Sequence, residues 1–172
     1  MKEIYPIVKD TYYRKVNDTY KTREAVRCFL FKDDKFCLIH VKGSDAFGPR
    51  DHYETPGGGV ESGESYIETL IREMREETGA EIENIKEIGK IKIEYNLISR
   101  IDIELFYYAD VKGIHETHLL DYEKELFDKL EWFTIDEAIH MYKYRHTITV
   151  GKMIHERDLN ALLYLKNYIL KK

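Results

Sequence analysis

Residues 56–80 of this chain read PGGGVESGESYIETLIREMREETGA. A run of three glycines precedes a segment in which charged residues recur at fixed spacing. The fixed positions are Gly58, Glu64, Arg72, Glu73, Glu76, Glu77 and Gly79. Seven positions of this kind coincide by chance in roughly one of 10⁵ to 10⁶ chains of this composition, so the pattern is specific.

The segment after Ser65 has the pattern of an amphipathic helix. Its apolar residues follow the spacing i, i+3, i+4, i+7, and they are Ile67, Leu70, Ile71 and Met74. Ser65 and Glu68 have the spacing of a capping box, so we expect the helix to begin near Ser65 and to end before Gly79. The apolar stripe is expected to pack into the core.

Three glutamates, Glu73, Glu76 and Glu77, lie together on another side of this predicted helix. At 100° per residue their face is rotated by roughly 120° from the apolar stripe. Carboxylates this close repel one another, and a divalent cation between them removes that repulsion. Oxygen ligands without Cys or His suit Mg²⁺ or Mn²⁺ better than Zn²⁺, and Mg²⁺ usually shares its ligand shell with substrate phosphates. The pattern therefore predicts metal-assisted cleavage of a phosphorus–oxygen bond.

An ordinary solvated helix is the alternative interpretation. A Glu-rich helix usually carries ion pairs at i, i+4, and Glu68 and Arg72 fit such a pair. The glycine turn, Glu64 and Arg72 all fall in register with the clustered glutamates, which favours the metal site. Glycine also has no Cβ, so the run at 56–59 can bring backbone close to a ligand.

The 172 residues suffice for one domain with a sizeable core. The formal net charge of −5 disfavours general nucleic-acid binding but leaves a nucleotide substrate open. Cys28 and Cys37 are too few for a disulfide scaffold, and we interpret both as reduced core residues. We expect no membrane partner and a cytoplasmic location, because no apolar run approaches the length of a membrane span. A homodimer is left open.

Apolar runs at 25–31 and 36–41 predict a β-hairpin, and residues 43–55, with Gly43, Gly48 and Pro49, predict a loop. Further strands are predicted at 85–93, 101–111 and 130–133, and helices at 135–143 and 154–170. In the strand at 101–111, apolar Ile101, Ile103 and Leu105 alternate with Asp102 and Glu104, which predicts that the apolar side chains form the buried face. Strands interleaved with helices indicate an α/β or α+β layered class.

The fixed positions of 56–80 resemble the Nudix box, in which a glycine and a glutamate precede Arg-Glu, Glu-Glu and a final glycine at these spacings. The chain is thus similar to Nudix hydrolases over residues 24–145, with Ala80 where the family prefers a bulkier apolar residue. This resemblance sharpens the expected fold to an α/β/α sandwich with a mixed β-sheet. It implies a single Nudix hydrolase domain over 1–172, with an N-terminal extension at 1–22, a core at 24–145 and a C-terminal helix at 146–172.

The resemblance also implies roles for residues of the box. The implied ligands of a divalent cation, Mg²⁺ or Mn²⁺, are Gly57, through its carbonyl oxygen, and Glu73, Glu76 and Glu77. Glu76 and Glu77 count among the catalytic residues as well. The residues implied to shape the motif are Gly58, Arg72 and Gly79. Arg72 would do so by orienting the glutamates through a salt bridge.

Residues outside this group supply the remaining candidates. Glu64 precedes the helix and is one candidate for the general base. Many Nudix enzymes use an acid from a loop before a late strand. Trp132 marks that strand here, and Glu125, with Glu123 next, is the choice for a further ligand or base. Arg50 is the candidate for binding substrate phosphate, since arginine matches phosphate geometry. Solvated loop charges are the alternative for Glu123, Glu125 and Arg50.

Tyr95 lies sixteen residues past Gly79, near where a tyrosine occurs in Nudix hydrolases of dinucleoside polyphosphates. No proline stands at that distance, as it does in many ADP-ribose hydrolases. We expect a metal-dependent pyrophosphohydrolase in which water attacks a phosphorus of a nucleoside diphosphate linked to another group. The alternative is a non-catalytic nucleotide-binding sensor or regulatory domain, although such domains commonly lack box glutamates that this chain keeps. An interaction protein with an acidic helix is a further alternative.

Overall fold

The computed structural model describes residues 1–171, apart from the side chain of Tyr122. The strands are β1 Lys21–Lys32, β2 Lys35–Asp45, β3 Gly48–Glu54, β4 Gly57–Gly59, β5 Ala80–Tyr95, β6 Arg100–Ile114 and β7 Phe127–Thr134. The α-helices are α1 Tyr66–Glu73, α2 Asp121–Lys124, α3 Ile135–Tyr144 and α4 Val150–Tyr164. Wide π-helical turns, Met74–Thr78 and Leu165–Ile169, extend α1 and α4.

The seven strands form one mixed sheet. Its central order is β3-β2-β1-β6-β5, with β4 paired to β1 and β7 paired to β2. β1 and β6 run parallel from Lys21 opposite Arg100 to Phe31 opposite Asp110, and the other pairs are antiparallel. The long parallel pair places the first residues of β1 and β6 side by side at one end of the sheet.

Helices cover both faces of this sheet. Val26 and Cys28 of β1 pack with Leu70 of α1 in one apolar cluster. Phe29 of the same strand packs with Ile154 and other residues of α3 and α4 in a second cluster. Successive residues of a strand point to opposite faces, so β1 supplies both halves of the core. The expected sandwich with a mixed sheet is confirmed.

The hairpin of β1 and β2 is confirmed, whereas the prediction of a loop at 43–55 is wrong. β2 extends to Asp45, and β3 occupies most of the predicted loop, with Pro49 opposite Ser44. Gly48 and Pro49 indicated a loop because they interrupt regular structure. β3 is an edge strand, however, and a strand with a neighbour on only one side tolerates proline.

The apolar stripe predicted for α1 is only half buried. Leu70 and Met74 are fully buried, but Ile67 is 40% exposed and Ile71 is 47% exposed. The buried side of the helix is rotated toward Glu73, which is itself buried. The prediction that the apolar side of β6 is its buried side is also wrong at the start of that strand. Asp102 and Glu104 there are almost inaccessible, because arginines of β1, of α4 and of β6 itself pair with them.

The N-terminal residues run along β5. Glu3 bridges to Lys90 and Val8 to Ile93, both in parallel orientation. Asp10 accepts a hydrogen bond from the backbone nitrogen of Asn96 at 2.9 Å. The division of the chain into an extension, a core and a C-terminal helix stays a prediction, and its last residue, Lys172, lies outside the described residues.

Across residues 1–171, no helix has both the length and the apolar character that crossing a membrane requires.

Candidate active site

The glycine run forms β4 and brings the sheet against α1. Gly57 has a φ of +146°, and a Cβ there would lie 1.9 Å from the carbonyl oxygen of Val26. A Cβ on Gly58 would lie between 2.3 and 2.6 Å from the carboxylate atoms of Glu73. Only glycine therefore lets this strand and the helix approach so closely.

Gly79 closes the segment on its other side. It caps the π-helical turn with a φ of 70°, in the left-handed region that favours glycine. Its carbonyl oxygen accepts a hydrogen bond from the backbone nitrogen of His115 at 2.6 Å, and a Cβ on Gly79 would lie 2.0 Å from the His115 carbonyl oxygen. Ser65 and Glu68 form the expected capping box at the start of α1.

Arg72 ties the carboxylates of the motif together. Its Nε and Nη2 donate to the two carboxylate oxygens of Glu64 at 2.7 and 2.9 Å, and its Nη1 donates to Glu73 Oε1 at 2.7 Å. Nη1 also lies 3.4 Å from Glu76 Oε2, and Nη2 donates to the carbonyl oxygen of Gly59 at 3.2 Å. One planar guanidinium thus fixes three glutamates and the glycine strand.

The same contacts disfavour Glu64 as a base. The hydrogen bonds from Arg72, with a further one from Thr69 at 2.8 Å, lower the pKa of Glu64 to about 2. A carboxylate with so low a pKa holds a proton poorly at neutral pH, whereas a general base works best with a pKa near the operating pH. Glu64 is placed to orient Arg72.

Glu73, Glu77 and Glu123 form a compact carboxylate group. Each offers one oxygen atom, and these atoms lie within 4.8 Å of one another. Glu73 is 6% exposed and Glu77 is 8% exposed. Burial, together with the negative charge of Glu73, raises the pKa of Glu77 well above its usual range, although the backbone nitrogen of Gly57 donates to Glu77 Oε2 at 2.7 Å. Adjacent carboxylates, which offer only oxygen atoms as ligands, fit a hard divalent cation.

The structure brings some of the sequence-based candidates together and separates others. Glu76 is partly exposed beside Arg72 and is outside the compact group. Glu125 is exposed, and Glu123, the second choice, occupies the place beside Glu77. The carbonyl oxygen of Gly57 lies 3.4 Å from Arg27 Nη1, which donates to it. The sequence before β7 has no periodic pattern, so it could not tell which acid faces α1.

A cavity of about 310 Å³ adjoins this group. Glu77 and Glu123 line it on one side, and five arginines line it elsewhere: Arg23, Arg27, Arg50, Arg100 and Arg157. The sequence patterns identified Arg50 as a candidate but not the other four arginines. The available signal was the charge pattern on paired strands, since Arg23 stands directly opposite Asp102 in the parallel pair. That register becomes visible only once β1 and β6 are known to be neighbours.

Beneath the cavity the arginines bind buried carboxylates. Arg27 Nε is 2.9 Å from Glu104 Oε2, and Arg157 Nη1 is 3.0 Å from Glu104 Oε1. Arg157 Nε also contacts Asp158 Oδ1 at 2.7 Å. The side chains of Glu104, Arg157 and Asp158 are fully buried. These ion pairs form a rigid polar base for the cavity, joining β1, β6 and α4.

Arg50 and Tyr95 lie on the aromatic side of the cavity. Arg50 Nη2 contacts Asp45 at 2.7 Å, and its guanidinium lies 5.1 Å from the ring centre of Phe47. The Phe47 and Tyr95 rings are 5.7 Å apart, and the guanidinium of Arg100 lies 5.8 Å from the Tyr95 ring. This arrangement offers planar groups beside cations, which suits a nucleobase next to phosphate.

Comparisons with known proteins agree with the box. The family model of the NUDIX domain matches residues 21–155. An asymmetrical bis(5'-nucleosyl)-tetraphosphatase of Mus musculus is 29% identical over 96 residues, which are 55% of this chain and 63% of that protein. A putative 8-oxo-dGTP diphosphatase of Bacillus subtilis (strain 168) is 34% identical over 64 residues, 37% of this chain and 39% of that protein. The chain thus spans less than two thirds of either relative.

A solved structure shares the fold. A NUDIX hydrolase from Nitrosomonas europaea superposes with a TM-score of 0.60 at 23% identity, covering 80% of this chain and 88% of that one. The residues that the family model matches include the glycine run, Arg72 with its carboxylate partners, and the acidic helix. Since that match extends over most of the sequence, the chain belongs to the Nudix family.

Proposed function

We propose that this chain is a divalent-cation-dependent pyrophosphohydrolase that cleaves a diphosphate linkage in a nucleotide or nucleotide derivative. The observation that carries the proposal is the compact carboxylate group of buried Glu73 and Glu77 with partly buried Glu123, beside an arginine-lined cavity. The relatives named as a tetraphosphatase and a diphosphatase support it. We infer one Nudix hydrolase domain acting on a small-molecule substrate, and its cytoplasmic location and homodimerisation stay predictions.

The donor set fits Mg²⁺ or Mn²⁺. Glu73, Glu77 and Glu123 would hold the cation, and the sequence adds Glu76 and the carbonyl oxygen of Gly57 as ligand candidates. Such a cation, when bound, neutralises phosphate charge and makes water more acidic. Without a cation, the burial of Glu73 and Glu77 beside each other carries an electrostatic cost.

The residues of the chain divide the remaining work. Water forms a bond to phosphorus, the anhydride P–O bond breaks, and the leaving phosphate departs as an anion. Glu123 replaces Glu125 as the candidate that takes the proton of the attacking water, because it lies in the carboxylate group and lines the cavity. Glu64 and Arg72 are positioning residues that hold Glu73 in place. Arg50 stays the sequence-based candidate for substrate binding, on the aromatic side of the cavity.

The test is hydrolysis of a substrate panel with Mg²⁺ and with Mn²⁺. The panel contains nucleoside di- and triphosphates, dinucleoside polyphosphates, ADP-ribose and nucleotide sugars. We expect Glu77→Gln and Glu123→Gln to lower kcat by about 100-fold or more on the best substrate, as loss of a catalytic carboxylate does. Glu83→Gln, on an exposed residue of β5, is the matched control and should leave kcat unchanged.

The alternative function is a nucleotide sensor without turnover. Metal-dependent nucleotide binding with no hydrolysis of any panel member would support the sensor and would contradict the enzyme. Hydrolysis that persists in Glu77→Gln would contradict the assignment of the carboxylate group.

A further inference from the structure

Two arginines at the end of the sheet share a single carboxylate. Arg23 Nη1 lies 3.4 Å and Arg100 Nη2 lies 2.9 Å from the same oxygen, Asp102 Oδ2. Arg100 Nε lies 2.5 Å from the other oxygen of Asp102. Asp102 is 2% exposed, whereas the Arg23 and Arg100 side chains are 41% and 32% exposed. Two accessible cations thus share one buried carboxylate.

This sharing distinguishes Arg23 and Arg100, because the other arginines of the cavity have more carboxylate partners, at least one for each guanidinium. Arg50 is held by Asp45 through two hydrogen bonds, of 2.7 and 3.1 Å. Arg27 and Arg157 are two cations among three acids, Glu54, Glu104 and Asp158. Among the described residues, Arg23 and Arg100 therefore have Asp102 as their one shared ion-pair partner.

Arg23 lies where two cavities meet. It lines the 310 Å³ cavity, and it also lines a cavity of about 230 Å³ that contains Glu73, Glu76 and Arg72. Glu123 is the acidic residue that lines both. An extended anion that spans both cavities therefore passes Arg23, and in the larger cavity it also reaches Arg100, whose guanidinium lies 5.8 Å from the Tyr95 ring centre.

Arg23 also has donors to spare. Its Nη1 is used by Asp102, while its Nε and Nη2 form no hydrogen bond with the described residues. Both atoms lie beside Gly59, where a Cβ would be only 2.8 and 2.5 Å from them. The missing side chain of Gly59 thus leaves room for this guanidinium next to the carboxylate group.

We propose that Arg23 and Arg100 bind a phosphate beyond the diphosphate that is cleaved, so that the site selects chains of three or more phosphates. The proposal rests on the proposed function and names its substrate class. The carboxylate group, with the cation that it would hold, would serve the two phosphates of the scissile linkage. A third phosphate carries further negative charge, and arginine binds it through paired, charge-assisted hydrogen bonds. Diphosphate-linked substrates place no phosphate at the Arg23–Arg100 pair.

The experiment compares substrates that differ only in phosphate number, namely a triphosphate with its diphosphate and a dinucleoside tetraphosphate with the dinucleoside diphosphate. Arg23→Gln and Arg100→Gln should lower kcat/KM on the longer chains by about 10- to 100-fold, the effect of losing a charge-assisted hydrogen bond. On the diphosphates the change should stay below about 3-fold. Arg75→Gln is the control, since Arg75 is exposed, lines neither cavity and, among the described residues, pairs with Glu81 alone.

A binding measurement separates this proposal from the proposed function. Calorimetry with Mg²⁺ should show tighter binding of inorganic tripolyphosphate than of pyrophosphate, with the difference lost in both variants and partly restored by Arg100→Lys. This binding difference, found together with no hydrolysis of any nucleotide, would contradict the proposed function and would still support the phosphate selection. Equal losses on short and long chains, or equal affinity of the unaltered protein for the two polyphosphates, would overturn the selection, and melting curves verify that each variant is folded.

Discussion

Glu77 illustrates how this fold places charge where a plain helix would not. It lies one helical turn from Glu73, is nearly inaccessible, and accepts a hydrogen bond from Gly57. Glutamine keeps that acceptor and removes the charge. In EDTA we expect Glu77→Gln to raise the free energy of unfolding by roughly 1–2 kcal/mol, because it relieves repulsion between buried like charges.

In Mg²⁺ this difference in stability between Glu77→Gln and the unaltered protein should be partly reversed. The unaltered protein should gain stability with increasing Mg²⁺, and Glu77→Gln should gain much less, as measured by denaturant unfolding in both media. An equal Mg²⁺ gain in the two proteins would mean that the compact carboxylate group does not bind the cation.

Gly58 gives a steric prediction at the same scale. A methyl group at this position would fall within 2.6 Å of the Glu73 carboxylate. Gly58→Ala should push that carboxylate out of the group and lower kcat by roughly 100-fold, the usual effect of a displacement of about 1 Å at a reacting centre.

Gly113→Ala is the matched control for that change. A Cβ at Gly113 meets its nearest atom at 3.9 Å, an ordinary contact, so its kcat should equal that of the unaltered protein. Full activity of Gly58→Ala, measured as kcat and as the Mg²⁺ concentration for half-maximal rate, would show that the helix can shift without harm.

At the scale of elements, the sequence predicts α1 well at its ends and poorly on its faces. The capping box at Ser65 and the terminal Gly79 are both present. Apolar residues with a period of 3.6 identify an amphipathic helix. This period does not show how a carboxylate that points inward rotates the buried side of the helix away from the apolar stripe. For this reason Ile67 and Ile71 were expected in the core and lie at the surface.

The cap itself is open to measurement. Ser65 Oγ accepts a hydrogen bond from the backbone nitrogen of Glu68 at 3.2 Å, and Glu68 Oε2 accepts one from the backbone nitrogen of Ser65 at 2.8 Å. Ser65→Ala should lower the free energy of unfolding by about 1 kcal/mol, as loss of an N-cap does. Ser62→Ala, in the exposed turn before the helix, should change it by less than about 0.5 kcal/mol in the same denaturation experiment. Equal effects of the two changes would exclude a capping role.

At the scale of the whole molecule, the sequence predicts the layers and the box but not the buried ion pairs. Glu104 contacts Arg27 and Arg157, which are 77 and 53 residues away in sequence. Alternation along β6 predicted an exposed acidic side, because a local pattern contains no information on partners from distant elements. Long-range pairing of charges is a property of the assembled sheet and α4.

The contact between α4 and the sheet makes the stability of the whole fold depend on pH. His155 of α4 accepts a hydrogen bond from the backbone nitrogen of Tyr53 in β3 at 3.1 Å, and the histidine is buried. Burial, together with neighbouring His52, lowers the pKa of His155 from 6.5 to about 3. The folded protein therefore keeps this imidazole neutral at a pH where the unfolded chain protonates it.

The sign follows directly from this difference. Above pH 6.5 both states are neutral at His155 and its contribution to stability is complete. Between pH 6.5 and about 3 the unfolded chain binds one more proton than the folded protein. The free energy of unfolding therefore falls by up to about 1.4 kcal/mol for each unit by which the pH is lowered. His155→Gln can keep an acceptor for Tyr53 and cannot be protonated, so its stability should fall less steeply over this range. Denaturant unfolding from pH 7 to 4 measures both slopes, with exposed His146→Gln as the control that should follow the unaltered protein. Parallel curves for His155→Gln and the unaltered protein would show that this histidine is protonated equally in the folded and unfolded states.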